Sequence, residues 1–562
     1  MKFACVNIFV CMAFYSSSAR AFSTIFRRPT SIRNTCAAIA STQTTTAMSS
    51  TAIATDNPLL QQEDLPKFSK IGAKDLTPAV EMLLEKMETD FSSLESKLAA
   101  GDGALDYDDV LPEVERIQFG IGYVWGVAGH LNGVKNGDEL RKAYEENQPK
   151  IVKAMSKFSQ SKPLYDALSA VEKKWGDQQA ADSFEMQQRR RAVENNLRAM
   201  TLGGVALEGE AKERFNEIKM RLASLSTTFS NNVLDETKAY SLTVDDPAKM
   251  ECVPDSAKAL WANSYEMKAK SDAAEGEVVP PMDAEKGPWR ISLDMPSYIA
   301  VLSHMKDRSI REKVYKAQLT RASEFNEEKN NIPLVYEIIQ LKTEMAKMLG
   351  FDTFAQMSMT KKMAPSVEAV NELSDLIADK ALPAAERELA EITAMAREHG
   401  GDEYSEANLE KLAAWDTTFF SERLKETRFE LKEEETRPYF ALPKVLEGLF
   451  GLVERIFGIE VRAADGEVDV WHPDVGFYKV FDFSTGKHIA SFFLDPYSRP
   501  EDKRGGAWMD VCIGKSEAVK RDVPVAYLTC NGSPPVGDTP SLMTFREVET
   551  LFHEAGEYNV VE

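Results

Sequence analysis

The sequence predicts a mainly α protein that carries one small antiparallel sheet late in the chain. Three observations predict it. Helical periodicity dominates from about Asp56 onward. Short β-branched and aromatic runs, separated by turn signals, cluster after Trp471. Those runs deliver the chain directly into an amphipathic segment with a helix-start signature. At 562 residues the chain exceeds what one hydrophobic core serves, so two or more lobes are expected. A hydrophobic fraction of 43% with 28% charged residues is that of a globular protein folding in water.

The first element is not part of the fold. Residues 1–55 contain Lys2, Arg20, Arg27, Arg28 and Arg33 but no Asp or Glu; the first acid is Asp56. Lys2 precedes an apolar run, Phe3 to Tyr15, of signal-peptide length and too short to span a bilayer. Small residues in "SSSARAF" suit cleavage before Phe22, and the stretch after it is basic and hydroxyl-rich. Residues 1–21 therefore read as a signal peptide and 22–55 as a transit peptide. Together they resemble a bipartite plastid presequence, with a mitochondrial presequence or plain secretion as the alternatives. No later apolar run has membrane-spanning length, so no membrane partner is expected. The net charge of −22 repels phosphate backbones, which argues against nucleic acid. Cys5, Cys11 and Cys36 lie in the presequence. The remaining Cys252, Cys512 and Cys530 are widely spaced and odd in number, so neither a disulfide framework nor a metal knot is expected.

Val80, Leu83, Leu84, Met87, Phe91, Leu94 and Leu98 form one buried helical stripe, with Thr77 as N-cap and Pro78 in the first turn. Further helices are predicted over 140–155, 192–200, 211–231, 313–325, 332–348 and 367–398. "DDPAKMECVPDSAKAL" and "EGEVVPPMDAEKGPW" read as long acidic connections, with "YSLTV" and "WRISL" pairing as a small sheet beside them. Then "GFYKVFDF", "KHIASFFLDPY", "AWMDVCI" and "VPVAYLTC" read as strands of a compact antiparallel sheet, separated by Ser-Thr-Gly, Arg-Gly-Gly and Asn-Gly-Ser-Pro-Pro turns.

The last helix is well specified. Thr544 and Glu547 form a capping box, and Val548, Leu551, Phe552 and Ala555 form its apolar stripe. His553-Glu554 begins the H-E-x-x-H zinc motif, in which two imidazoles one turn apart hold Zn²⁺ and the glutamate accepts a proton from the metal-bound water. Position 557 should carry the second imidazole and carries glutamate instead. Glu557 could in principle act as an oxygen ligand. One imidazole and one carboxylate remain too few for a catalytic zinc site.

The segment "VPVAYLTCNGSPPVGDTPSLMTFREVETLFHE" resembles the approach to the zinc helix in the thimet oligopeptidase and oligopeptidase A family. "HIASFFLDPYSRPEDKRGGAWMD", "AWDTTFFSERLKE", "MPSYIAVLSHMKDRSIREKVYKAQLTRAS" and "RFNEIKMRLASLSTTFSNNVLDETKAYSLTV" extend the likeness, in order, from about residue 60 to Glu554. The resemblance implies a two-lobed, mostly helical zincin-like peptidase with a deep channel between the lobes. It assigns 56–210 to an N-terminal helical region and 211–562 to the catalytic region. His553 matches the first ligand of one Zn²⁺ and Glu554 the general base. The family continues beyond this motif to a third ligand and further substrate-binding residues, so the catalytic region is expected to be truncated here. Residues 555–562 resemble nothing in the family and read as a non-native tail. The implied substrates are short unstructured peptides, including targeting-peptide fragments, and a monomer is expected. The chain as given is expected to have little or no activity, with a peptide-binding short form as the alternative.

Several other residues carry chemistry but point to structure first. His130, His304, His399, His472 and His488 are not at ligand spacing and read as structural. Trp471-His472 reads as a packing corner. Gly505 and Gly506 read first as a turn and second as a place where substrate main chain approaches. Asp416 and Glu422 read as solvated helix caps or channel-lining acids, Glu433 to Glu435 as a solvated connection, and Met357 to Met363 as gap-filling core.

Overall fold

A computed structural model describes residues 56–100, 105–176, 183–274, 278–408 and 410–558, the side chains of residues 557 and 558 excepted. The presequence expectations for 1–55 lie outside the described residues. The protein is mainly α. A first group of helices comprises α1 (Ala73–Ala100), α2 (Tyr107–Val134), α3 (Asp138–Ser159), α4 (Lys162–Trp175), α5 (Phe184–Leu202) and α6 (Gly209–Ala239). The predicted stripe of α1 is buried at Val80, Met87, Phe91, Leu94 and Leu98. Its start is not where the sequence suggested. The helix begins at Ala73, where the Asp75 carboxylate accepts the Gly72 N–H at 2.8 Å, and Pro78 lies inside it. Capping by Asp75 carries the helix past a proline that would otherwise mark its first turn.

The chain then forms β1 (Leu242–Val244), α7 (Asp255–Asp272) and β2 (Trp289–Ile291). The predicted pairing is present: β1 and β2 are antiparallel with Leu242 opposite Ile291 and Val244 opposite Trp289. The first acidic connection is shorter than expected, because α7 starts within it at Asp255. Next come α8 (Met295–His304), α9 (Arg308–Leu319), α10 (Ile332–Met348), α11 (Phe354–Met359) and α12 (Val367–His399). α9 is displaced from the predicted 313–325, since Asp307 caps it by accepting the Ser309 and Ile310 N–H groups. α13 (Ala414–Phe429) and the short α14 (Glu433–Thr436) follow, so the Glu433 to Glu435 run is a helical turn rather than a solvated connection. Burial raises the pKa of the Glu433 carboxyl there.

α15 (Leu442–Phe457) ends at Gly458, whose left-handed φ of +68° places its N–H on the Glu454 carbonyl. Beyond it lie β3 (Ile459–Ala463), β4 (Gly476–Asp482), β5 (His488–Tyr497), β6 (Trp508–Ile513), β7 (Val525–Gly532) and α16 (Phe545–Tyr558). The sheet has the order β3-β4-β5-β7-β6 and starts earlier than predicted, with β3. It is mixed rather than antiparallel. β6 lies at the edge and β7 inserts between it and β5, so β5 and β7 run parallel, with Phe493 opposite Tyr527.

Alternation along the central strands explains why the sheet is covered on both faces. Phe493 on β5 and Val525 and Tyr527 on β7 face the first helical group, joining a core with Phe68, Val127 and Leu131. Phe492, Leu494, Ala526, Leu528 and Cys530 face the other way, packing on Leu442, Val445 and Leu449 of α15 and Leu551 of α16. The sheet therefore ties residues before 210 to the final helix.

Candidate functional site

The last helix is placed by its cap and by its apolar face. The capping box forms as expected: the Thr544 N–H donates to Glu547 at 2.7 Å and the Glu547 N–H donates to Thr544 Oγ1 at 3.1 Å. Glu547 also accepts from the N–H and hydroxyl of Ser533 at 2.7 and 2.9 Å, which pins the helix start to the turn after β7. Leu551 is buried, with Val548, Phe552 and Ala555 packed beside it.

That stripe sets the directions of the two motif residues. His553 is exposed, whereas Glu554 is only 5% exposed. The Glu554 carboxylate lies within electrostatic reach of the Cys530 thiol, whose pKa is pushed up to about 12, chiefly by burial. Position 557 falls one helical turn after His553.

Behind this helix lies a buried ionic cluster that sequence reasoning missed. Lys503 Nζ donates to Asp495 Oδ1 at 2.8 Å and to three carbonyls, those of Asp495 (3.1 Å), Tyr497 (2.8 Å) and Cys530 (2.6 Å). Arg499 grips both Asp495 oxygens at 2.7 and 2.8 Å, and Trp471 Nε1 donates to Oδ2 at 2.9 Å. Burial pulls the Lys503 ammonium down to about 8, opposed by Asp495. Burial would raise Asp495, but the two cations outweigh it and hold the carboxyl low. Nothing in a local sequence pattern marks a lysine such as Lys503 for full burial.

Gly505 and Gly506 are exposed in the turn before β6, and Gly506 adopts φ +100°. Asn531 at the end of β7 donates to the Gly506 carbonyl at 2.5 Å and to that of Arg504 at 2.9 Å, so the turn is tied to the strand that leads into α16.

The remaining histidines and acids are scattered. His130 stacks on Tyr527 with centroids 3.6 Å apart, and burial drives its pKa down to about 3. His304 lies 3.3 Å from Arg423, His472 3.5 Å from Asp474, and His488 2.9 Å from the Ser491 hydroxyl, while His399 sits 3.8 Å from Glu398. Trp471 is the packing corner expected, meeting Phe68, Phe493 and Tyr527. Asp416 is neither a solvated cap nor a channel acid. It is fully buried and accepts from the Tyr404 hydroxyl and from Arg308 and Arg311, two partners far from it in sequence. Glu422 is likewise buried and pairs with Lys425 at 3.2 Å. In the Met-rich stretch Met357 packs against core, but Met363 is fully exposed. Cys252, Cys512 and Cys530 are free thiols.

A cavity of about 1130 Å³ lies between α15 and β3 to β5, lined by residues such as Phe450, Tyr478 and Tyr497; neither His553 nor Gly505 borders it. Among the described residues no group of three or more His, Cys, Asp or Glu is placed to hold a metal ion. Catalytic zinc takes three protein ligands. The described residues alone do not supply that set.

Comparison with known proteins follows the same segments. The model of the family described as "Peptidase family M3" matches residues 301–558, and that of "Neurolysin/Thimet oligopeptidase, N-terminal domain" matches 80–212. The chain is 41% identical over 507 residues to "Organellar oligopeptidase A, chloroplastic/mitochondrial" of Arabidopsis thaliana, covering 89% of this chain and 60% of that protein. It is 40% identical over 516 residues to "Probable cytosolic oligopeptidase A" of the same plant, covering 91% of this chain and 69% of the relative. It is 36% identical over 505 residues to "Oligopeptidase A" of Haemophilus influenzae, covering 89% and 69%.

Proposed function

The chain belongs to peptidase family M3, and on that premise we propose that it is an oligopeptidase A-type protein that binds short, unstructured peptides. Within that reading His553 is the first zinc ligand and Glu554 the proton acceptor for the attacking water. The observation that carries the reading is the capped helix packed against β7, which presents His553 to solvent while burying Glu554 at its side. Glu557 stands where the motif has its second imidazole, so this polypeptide is proposed to hold zinc weakly and to hydrolyse peptides little or not at all. That residue favours peptide binding without cleavage as the second reading. A plastid address is proposed from the basic, acid-free residues 1–55 and from likeness to a relative named for chloroplasts and mitochondria. Targeting-peptide fragments are proposed substrates, and the working form is proposed to be a monomer.

The test is direct. The purified chain is assayed for zinc stoichiometry and for cleavage of a quenched fluorescent peptide. Zinc well below one per chain and no turnover are expected. One tightly held zinc, with turnover abolished in Glu554→Gln, would overturn the inactivity reading while upholding the site.

A further inference from the structure

We propose that Arg504, beside Arg141 and Tyr144, is an anion-binding subsite that holds a carboxylate group of a bound peptide. This deepens the peptide-binding reading and rests on it. In a chain of net charge −22 a cation with no counter-ion is conspicuous, because acids are abundant enough to neutralise it. Arg504 Nε is buried without a hydrogen-bond partner among the described residues. The neighbours its charge feels are the Tyr144 hydroxyl and another cation, Arg141. Lys238 at the end of α6 also feels Arg141, but Asp235, Asp502 and Asp138 lie within its electrostatic reach.

The acids nearby are already engaged. Arg141 is neutralised by Asp235 through bonds of 3.0 and 2.8 Å and also donates to Asn136 at 2.7 Å. Asp502 faces Arg499 at 3.6 Å. Arg504 is therefore left without an acid partner among the described residues at the junction of α2, α3, α6 and the β5–β6 loop.

The position of Arg504 does not depend on its guanidinium. Its N–H donates to the Gly133 carbonyl at the end of α2 at 2.9 Å, and its own carbonyl accepts from Asn531. The backbone that carries the fork is thus fixed before any ligand arrives.

The Gly505-Gly506 turn beside it is exposed. Gly122, Gly126, Gly129 and Gly133 fall on one stripe of α2. A Cβ at Gly122 or Gly126 would meet nothing within 4 Å. One at Gly129 would first meet the Tyr144 hydroxyl at 3.9 Å, and one at Gly133 would meet Trp508 at 3.8 Å. Tyr144 is itself braced by Trp125, stacked at 4.2 Å. The stripe is exposed at Gly122 and Gly126 and buried at Gly133, whose carbonyl holds Arg504 beside the Gly505-Gly506 turn. A peptide main chain fits such a surface, and a planar carboxylate matches the guanidinium fork in bidentate fashion. A polyanion is disfavoured by the acidic field of the whole protein, whereas one carboxylate is not.

The experiment titrates the full chain with three fluorescein-labelled forms of one decapeptide. These are a free acid with an internal glutamate, its C-terminal amide, and the free acid with glutamine at the internal position. Wild-type protein is expected to lose about tenfold in affinity with one of the two neutralised forms, which identifies terminus or side chain as the source. Arg504→Gln should bind all three alike, and Arg504→Lys, which loses the bidentate fork, should keep only part of the preference. A tenfold preference that survives in Arg504→Gln, in protein melting at the wild-type temperature, overturns the proposal. If Arg504→Gln does not fold, Arg504→Lys decides in its place, and an undiminished preference there overturns the proposal. If no peptide binds wild-type protein, the peptide reading fails and succinate decides the subsite. Thermal stabilisation by succinate that requires Arg504 upholds the subsite, and its absence overturns it.

Discussion

Replacing Lys503 with methionine keeps the aliphatic stem and removes one fully buried ammonium. Three main-chain carbonyls, of Asp495, Tyr497 and Cys530, then lose their Lys503 donor, and Asp495 loses one of its charge partners. Arg499 remains bidentate on Asp495, so the carboxylate is not stranded. Breaking a buried pair typically costs about 3–5 kcal/mol, and the surviving arginine puts this case at the low end, about 3 kcal/mol. The loss should be local first, because the Cys530 carbonyl belongs to β7 and Asp495 to β5. Guanidinium denaturation followed by tryptophan fluorescence should show a lower midpoint, since Trp471 bonds the same carboxylate. Hydrogen exchange should report weakened protection across Val525–Gly532. Asp495→Asn combined with Lys503→Met should cost at least about 1 kcal/mol less than the two separately, because both remove one interaction. Strict additivity, or a midpoint unchanged in Lys503→Met, would refute the claim that this cluster holds the β5–β7 seam together.

Glu547→Ala removes the acceptor of four bonds at the start of α16 and should cost about 1–2 kcal/mol, with amide exchange speeding in the first turn while Glu547→Gln keeps part of the protection. His130 is held neutral, its folded pKa lying below its unfolded value of about 6.5, so the unfolded state binds the extra proton and stability falls as pH drops from about 6.5 towards 3. That amounts to about 2 kcal/mol between pH 7 and 5; His130→Phe, which keeps the stacking on Tyr527, should lose that share of the acid sensitivity in melting curves. His304, lowered to about 4 chiefly by burial, contributes a similar slope over that window, which remains in the variant.

What was legible in the sequence was what short spacing encodes. Thr544 and Glu547 sit three apart, and both bonds of their box form. The stripe of α1 and the pairing of β1 with β2 follow equally local rules. Strand order is not local: "AWMDVCI" and "VPVAYLTC" look like successive hairpin strands, yet β7 slips between β5 and β6 and makes one pair parallel. Asp416 looked like a helix cap because Arg308 and Arg311, which enclose it, lie over a hundred positions earlier. The site divides in the same way. His553 and Glu554 could be read as half of a motif, while the burial of Glu554 depends on β7, and the isolation of Arg504 depends on where every nearby acid is already committed.

One face of the sheet is closed by helices made long before its strands. Phe68 meets Phe493 and Tyr527, and Ser69 bonds Asp469, 400 residues downstream. On a ribosome adding about 5–20 residues per second, the early helices wait on the order of 20–80 s for those strands. During that interval Phe68 and its neighbours have no native cover, so the nascent chain presents a sticky greasy surface that a holding chaperone would recognise. Synthesis from the amino end therefore cannot finish the first helical layer by itself; its closure is set by the last strands to emerge.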